Sequence, residues 1–392
     1  MSSLRRASLT VVAVVAATLV QPVSAASADD PYDIPPSATI TLRGDGFGHG
    51  VGMSQYGAYG AARKSLGAKK VLRFYYPGTT LGDAGGKVEV LISGDDDQDL
   101  VVDDRARLSV RSLKSGKSFR LDEPKATRWR IRPVGTRSEI SYRTRHWHVW
   151  RVLKGDAEIS AGGRPVTLRT PDGSGAYRGA LRSTRSAAGT RITVNVVPME
   201  AYVRGVVTRE MRADWPQQAL RAQAVASRTY AAYERAHTHR VAYDLCDTSA
   251  CQVYGGVAGE TSSGDDAVQA TAHRVLTHAG EVAYAQFSAS NGGWTVADDR
   301  FPYLVAKEDP YEGTSPDYYG WTVQLTSEEV EKAYNLGNLT YLGIETRGGD
   351  GTGHVATIRI RTEGGFDGTV TGESFFRHFD LRSTMFRIAD VS

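Results

Sequence analysis

The run from Val197 to Tyr230, VPMEAYVRGVVTREMRADWPQQALRAQAVASRTY, constrains the fold more than any other part of the chain. From Gln217 to about Arg235 it holds no Gly or Pro and is rich in Ala, so intrinsic preference alone demands a helix. Pro216 reads as a first-turn proline, with Asp214 just upstream as N-cap. Leu220, Ala224, Ser227 and Ala231 share one stripe of small or apolar residues, with Gln223 and Tyr230 on a neighbouring one. Side chains that small let another backbone come close, so this is a helix for others to pack around. Upstream, Met199 to Val207 reads as a shorter helix pairing Tyr202 with Val206. Glu210 then falls in the connection between the two helices, a place from which a side chain can be presented to a cleft.

Two readings of Glu210 compete. Most glutamates are solvated surface groups, and Arg209 and Arg212 nearby would lower its pKa, whereas a general acid needs a raised one. Val206, Val207, Met211 and Trp215 push the other way by supplying apolar surroundings.

The glycine-rich block GHGVGMSQYGA (Gly48–Ala58) follows a strand-like ATITLRG and precedes helical patterns over Ala58–Ser65 and Lys70–Tyr76. A dinucleotide fingerprint fails on spacing: started at Gly44, Gly46 or Gly48, its last glycine falls on His49, Val51 or Met53. The glycines fit a tight loop that places His49 and Gln55 at a polar surface. Further on, CQVYGG (Cys251–Gly256) and FSASNGGWT (Phe287–Thr295) supply neutral donors and acceptors: Gln252, Tyr254, Ser288, Ser290 and Asn291. Gly292 and Gly293 allow a backbone to approach a ligand, although polar turns on an ordinary sheet would look the same.

Val197–Tyr230 closely resembles the SpoIID/LytB family of peptidoglycan lytic transglycosylases and amidase enhancers. The glycine-rich block, CQVYGG, FSASNGGWT, FPYLVAKEDPYEG and TGESFFRHFDLRSTMFRI extend the resemblance over most of the chain. The resemblance implies that Glu210 is the catalytic acid/base; Glu200 matches a second frequent acid and reads as structural. It implies a cleft around Glu210 lined by Gln223, Gln252, Tyr254, Ser288, Ser290, Asn291, Gly292 and Gly293, with Tyr303 and Trp321 available to stack on sugars. The family usually carries the glycine-rich signature at its C-terminal end. Here it comes first, as if the chain were circularly permuted, which is tolerable if the termini are close in space. On that condition His49 and Gln55 belong to the same cleft; the alternatives are a block that docks a wall polymer or partner, or one that serves the fold alone.

Residues 1–28 have a basic start (Arg5, Arg6), an apolar run from Leu9 to Val20 and small residues near Ala28, the pattern of a secretory signal peptide. No later apolar run could span a bilayer. Removing the two arginines takes the formal charge from +3 to +1, too little for global steering to an anionic partner. In an exported chain Cys246 and Cys251 are expected to form a disulfide. A zinc reading with His237 and His239 competes, but Ala250 stands where zinc-binding relatives often carry His.

Residues 87–196 are β-rich, with alternation plain in Leu108–Val110 and Arg128–Arg132. Between Arg105 and Arg151 there are 11 Arg and 3 Lys against 3 acids. A solvated sheet face accounts for this better than a face binding teichoic acids or stem-peptide carboxylates. No nucleic-acid motif accompanies it. The acidic run Asp95–Asp99 lacks the Gly and terminal Glu of a calcium loop and reads as a turn. No nucleophile elbow or HExxH occurs, and no cofactor or metal is expected.

The expected fold is α+β: a mixed, mainly antiparallel β architecture around the helix starting near Pro216, with the displaced glycine-rich block over 29–81. The β-rich region is 87–196 and the SpoIID-like region 197–392. The resemblance implies a secreted, wall-associated transglycosylase that cleaves peptidoglycan glycan strands and forms 1,6-anhydromuramic ends. The alternative it carries is a glycan-binding enhancer of a partner amidase.

Overall fold

A computed structural model describes residues 32–95, 99–313, 318–349 and 351–392. The expected signal peptide and the centre of the acidic run, 96–98, lie outside the described residues. The fold is α+β, with mostly antiparallel sheets and helices α1 (Gln55–Arg63), α2 (Ala68–Tyr75), α3 (Met199–Glu210), α4 (Gln217–His237), α5 (Ser262–Ala270), α6 (Ser327–Tyr334) and α7 (Gly372–His378).

Helix α4 is the hub. Its small residues are buried from Ala219 to Ala232, and α1, α2, α3, α5 and the strand Arg274–His278 all pack on it. A helix enclosed on that many sides must also satisfy its buried polar groups. Thr229 Oγ1 donates to Val225 O at 2.6 Å and accepts from Leu276 N at 2.9 Å. Gln223 Nε2 donates to Ser227 Oγ at 3.0 Å. Arg228, fully enclosed, donates to both carboxylate oxygens of Glu200 at 2.8 Å and to the Arg274 carbonyl at 3.1 Å.

Two local expectations are corrected. Pro216 occupies the N-cap itself, while Asp214 turns outward to pair with Arg212 at 3.0 Å. Helix α3 continues past Val207 to Glu210, because Val206 and Val207 are still buried and hold that turn in the core.

Two sheets form the β-rich region. The larger runs Leu245–Cys246, Lys87–Leu91, Arg191–Pro198, Ala180–Arg185, Ala157–Ser160, Ser109–Ser112 and Ser118–Arg120, antiparallel except for its first pair. The other runs Trp147–Lys154, Arg137–Arg143, Arg128–Val134, Leu100–Asp103, Val166–Thr170 and Gly173–Tyr177. Trp129 and Ile131 are buried, as alternation requires. Arg130, expected on a wet face, is buried as well. Trp147 covers its guanidinium, 4.4 Å from the ring centre, and Asp99 and Glu139 supply the countercharge.

A second core joins the two ends of the described chain. The strand Thr39–Gly44 lies between Trp321–Thr326 and Phe386–Val391. Ile40, Leu42, Trp321, Ile358, Phe375 and Phe386 are among its buried residues. Thr39 and Ser392 exchange backbone hydrogen bonds of 2.7 and 3.0 Å, which is the proximity a permuted order needs. Beyond Gly44 the glycine-rich loop crosses into the main core. There Met53–Ser54 pairs in parallel with Phe287–Ser288. Helix α1 starts at Gln55, one turn earlier than the sequence suggested, because Ser54 caps it by accepting from Gly57 N at 3.0 Å.

No described helix is long and apolar enough to cross a membrane. Removing the countercharge of Arg228 tests the hub: Glu200→Ala should destabilise the fold by about 3 kcal/mol, read from the urea midpoint, because a buried guanidinium is left unpaired.

Candidate functional site

Glu210 ends α3 with its side chain turned into a cavity of about 350 Å3. Oε1 accepts from Val253 N at 2.7 Å and Oε2 from Gln55 Nε2 at 3.1 Å. Burial raises its pKa above the ordinary glutamate value, while these two hydrogen bonds pull it down. The nearby arginines, expected to lower it, do not reach it. Arg212 is engaged by Asp214, and the Arg209 stem packs against Gly255 and Gly259.

Three further segments complete the wall. The loop Ser249–Cys251 is tethered by a disulfide between Cys246 and Cys251, whose Cα atoms are 5.4 Å apart. The tether closes a short turn just before Val253, whose N–H meets the acid. Phe47, Gly48, His49 and Gln55 come from the glycine-rich block, and Gln286 to Ala289 come from the segment paired with it. Gly52 is required at that junction. It has φ +74°, and a Cβ there would lie 2.1 Å from the Gln286 carbonyl oxygen. Tyr56 and Tyr59 of α1 hold the block in place from outside, each with its ring centre 4.8 Å from that of Trp215.

His49 reaches the same cavity as Glu210. Its Nδ1 accepts from Val51 N at 3.0 Å, and burial lowers its pKa. Ser288 lines the cavity with a buried hydroxyl that has no partner among the described residues. Gln223, Gln252, Tyr254, Ser290 and Asn291 do not line it; all five are buried in the framework. Gln252 accepts from the Tyr202 hydroxyl at 3.0 Å, and Tyr254 donates to Asn195 at 2.8 Å. Gly292 and Gly293 adopt left-handed turns, Gly292 against the Asp45 carbonyl. Tyr303 and Trp321 are buried away from the cavity; its rings are Phe47, Tyr230, Tyr284 and Phe287. No cluster of three or more metal-ligating side chains occurs among the described residues, and His237 stacks on Tyr233.

One anchor carried no sequence signal as such. Glu312 accepts hydrogen bonds from the hydroxyls of Ser54 and Ser290, the latter at 2.9 Å, and from Asn291 N. It thereby clamps the residue before Gln55 to the FSASNGG segment. Burial pushes its pKa up to about 7; the Ser54 hydrogen bond opposes this and the nearby Asp309 charge adds to it. Asp309 itself accepts from the Tyr75 hydroxyl at 2.7 Å and from Asn291 Nδ2 at 2.8 Å.

Residues 187–278 match the SpoIID family model, described as "Stage II sporulation protein", a span that includes Glu210, Val253 and the disulfide. The amidase enhancer of Bacillus subtilis is 37% identical over 134 residues, which is 33% of this chain and 17% of that protein. An uncharacterized protein of Brachyspira hyodysenteriae is 41% identical over 107 residues, 27% of this chain and 29% of its own length. Stage II sporulation protein D of Bacillus subtilis is 28% identical over 183 residues, 42% of this chain and 51% of that protein. The match thus falls on the segment that bears the acid and its backbone donor. Over residues 187–278 the chain resembles the SpoIID family. It spans about half or less of the length of each of these relatives.

The raised pKa of Glu312 carries a definite sign. Its neutral form is favoured in the folded protein, so stability is full below the unfolded glutamate pKa and falls as pH rises toward about 7. Glu312→Gln should flatten the pH dependence of unfolding free energy between about pH 4.5 and 7, checked by urea titrations at each pH.

Proposed function

We propose that this protein is an exported lytic transglycosylase that cleaves peptidoglycan glycan strands between N-acetylmuramic acid and N-acetylglucosamine. The observation that carries the reading is Glu210: among the described residues it is the one carboxyl on the wall of its cavity, its pKa is raised by burial, and two neutral donors fix it in place. Two-carboxylate glycoside hydrolysis needs a second acid across the bond. An internal nucleophile removes that need.

In the proposed reaction the Glu210 carboxyl protonates the glycosidic oxygen as the bond to the muramic anomeric carbon breaks. The resulting carboxylate then takes the proton of the muramic 6-hydroxyl while that oxygen bonds to the anomeric carbon. A 1,6-anhydro ring forms, the proton returns to Glu210 and no water is consumed. Val253 N–H and the Gln55 amide stabilise the carboxylate stage, and each carboxyl oxygen keeps a lone pair for the exchange. Phe47, Tyr230 and Tyr284 offer apolar ring faces to sugars, and the Ser288 hydroxyl offers a hydrogen bond. A tethering disulfide suits an exported protein.

The second reading, a glycan-binding enhancer of a partner amidase, is favoured by one observation, the resemblance to the amidase enhancer of Bacillus subtilis. Incubation with purified glycan strands separates the two. Mass spectrometry should reveal 1,6-anhydro ends with the native chain, and Glu210→Gln should lower their rate of formation about 10²- to 10⁴-fold with circular dichroism unchanged. Undiminished turnover in that variant would remove Glu210 from the chemistry. A native chain that forms no anhydro ends yet stimulates an added amidase would establish the enhancer.

A further inference from the structure

A second cavity, of about 790 Å3, opens where the strands 39–44 and 386–391 meet the loop after Arg347. Among the described residues its wall carries Arg43, Arg347 and Arg387 and one acid, Asp45. Asp45 Oδ1 is occupied by Gly320 N at 2.7 Å. Arg347 is held by the carbonyls of Gly353 and Phe386 at 3.2 and 2.8 Å. Arg43 and Arg387 face each other across the antiparallel ladder, and neither side chain meets a carboxylate or a hydrogen-bond acceptor among the described residues. Elsewhere on the same core, strand arginines are neutralised, as Arg359 is by Asp367 at 2.8 Å. Like charges directly opposite in a sheet are destabilising. A concave surface that tolerates them is the complement of an oxyanion, and guanidinium forks match a planar carboxylate.

We propose that Arg43, Arg347 and Arg387 form a subsite for a carboxylate carried on the glycan strand, an inference that rests on the glycan reading of the Glu210 cavity. The two cavities are neighbours along one loop. Gly44 and Asp45 line the arginine cavity, and Phe47, Gly48 and His49 line the other. The four steps from Asp45 to His49 span at most about 14 Å of backbone, so a polymer seated on one cavity reaches the other. Two groups on such a strand present a carboxylate: the lactyl group of a muramic unit without a peptide, and the end of a stem peptide.

Binding is measured in the Glu210→Gln chain, where strands stay intact, by titration calorimetry with peptide-free strands, peptide-bearing strands and peptide-free strands whose carboxyls have been amidated. Adding Arg43→Ala and Arg387→Ala should weaken binding of carboxylate-bearing strands on the order of tenfold or more. The amidated strands should bind weakly and equally to both chains. Without glycan, the melting temperature of the double variant should hold or rise, because a repulsion has been removed. Tighter binding of peptide-free strands assigns the lactyl group, and tighter binding of peptide-bearing strands assigns the stem. Equal affinity for free and amidated strands, or indifference to the two substitutions, overturns the subsite even if Glu210-dependent cleavage is intact. Displacement of the strands by a phosphodiester polymer acting through the same arginines overturns the glycan assignment. A native chain that binds strands through these arginines but never cleaves them would refute the catalytic reading and leave the subsite standing.

Discussion

The carboxyl of Glu210 is gripped by two donors that lie 43 and 155 positions away in the chain, and the rest of the site is arranged so that both can reach it. A carboxyl drawn out of water is costly unless hydrogen bonds replace the lost solvent. Here the replacements number two, neither is charged, and burial remains the larger influence on its titration. The acid is therefore held in place while burial still favours its neutral form. A salt-bridged glutamate would show the opposite balance, as the ordinary surface pair Arg212–Asp214 does nearby.

Bringing those donors to Glu210 has a structural cost that is visible elsewhere. Val253 follows a turn closed with a disulfide, so a covalent tether anchors the chain just before its amide. Gln55 is presented by α1, whose cap Ser54 is clamped to Ser290 through the buried Glu312. Glu312 is held in surroundings that disfavour its charge, with Asp309 adding repulsion. Such a buried acid weakens the fold at neutral pH in exchange for fixing two segments of distant origin against each other. The glycine-rich loop makes the approach possible, since at Gly52 a side chain would collide with the Gln286 backbone.

The second core explains how a signature that comes first in this chain can serve a cleft built from its middle. The strand Thr39–Gly44 is sandwiched between strands from the C-terminal part, and Thr39 is hydrogen-bonded to Ser392. The loop leaves that strand in a fixed direction and delivers His49 and Gln55 to the cavity. The same strand places Arg43 opposite Arg387, so the strand lines the arginine cavity and the loop that follows it lines the cavity of Glu210.

By itself the sequence determined the elements whose information is local. Helix α4 followed from an uninterrupted Ala-rich run and the β-rich region from alternation. Only the tertiary structure decided which polar residues face the cavity. Gln223, Gln252, Tyr254, Ser290 and Asn291 sit in segments that approach the site, yet their side chains turn into the framework because buried backbone and hydroxyl groups needed partners there. The decisive donor to the acid, Val253 N–H, is a backbone group, and no side-chain pattern announces it. Arg130 likewise looked wet by period and is buried, because Asp99, Glu139 and Trp147 converge on it only after the sheet has formed. Periodicity specifies which way a side chain leaves its own backbone; what it meets there depends on segments brought in from elsewhere in the chain.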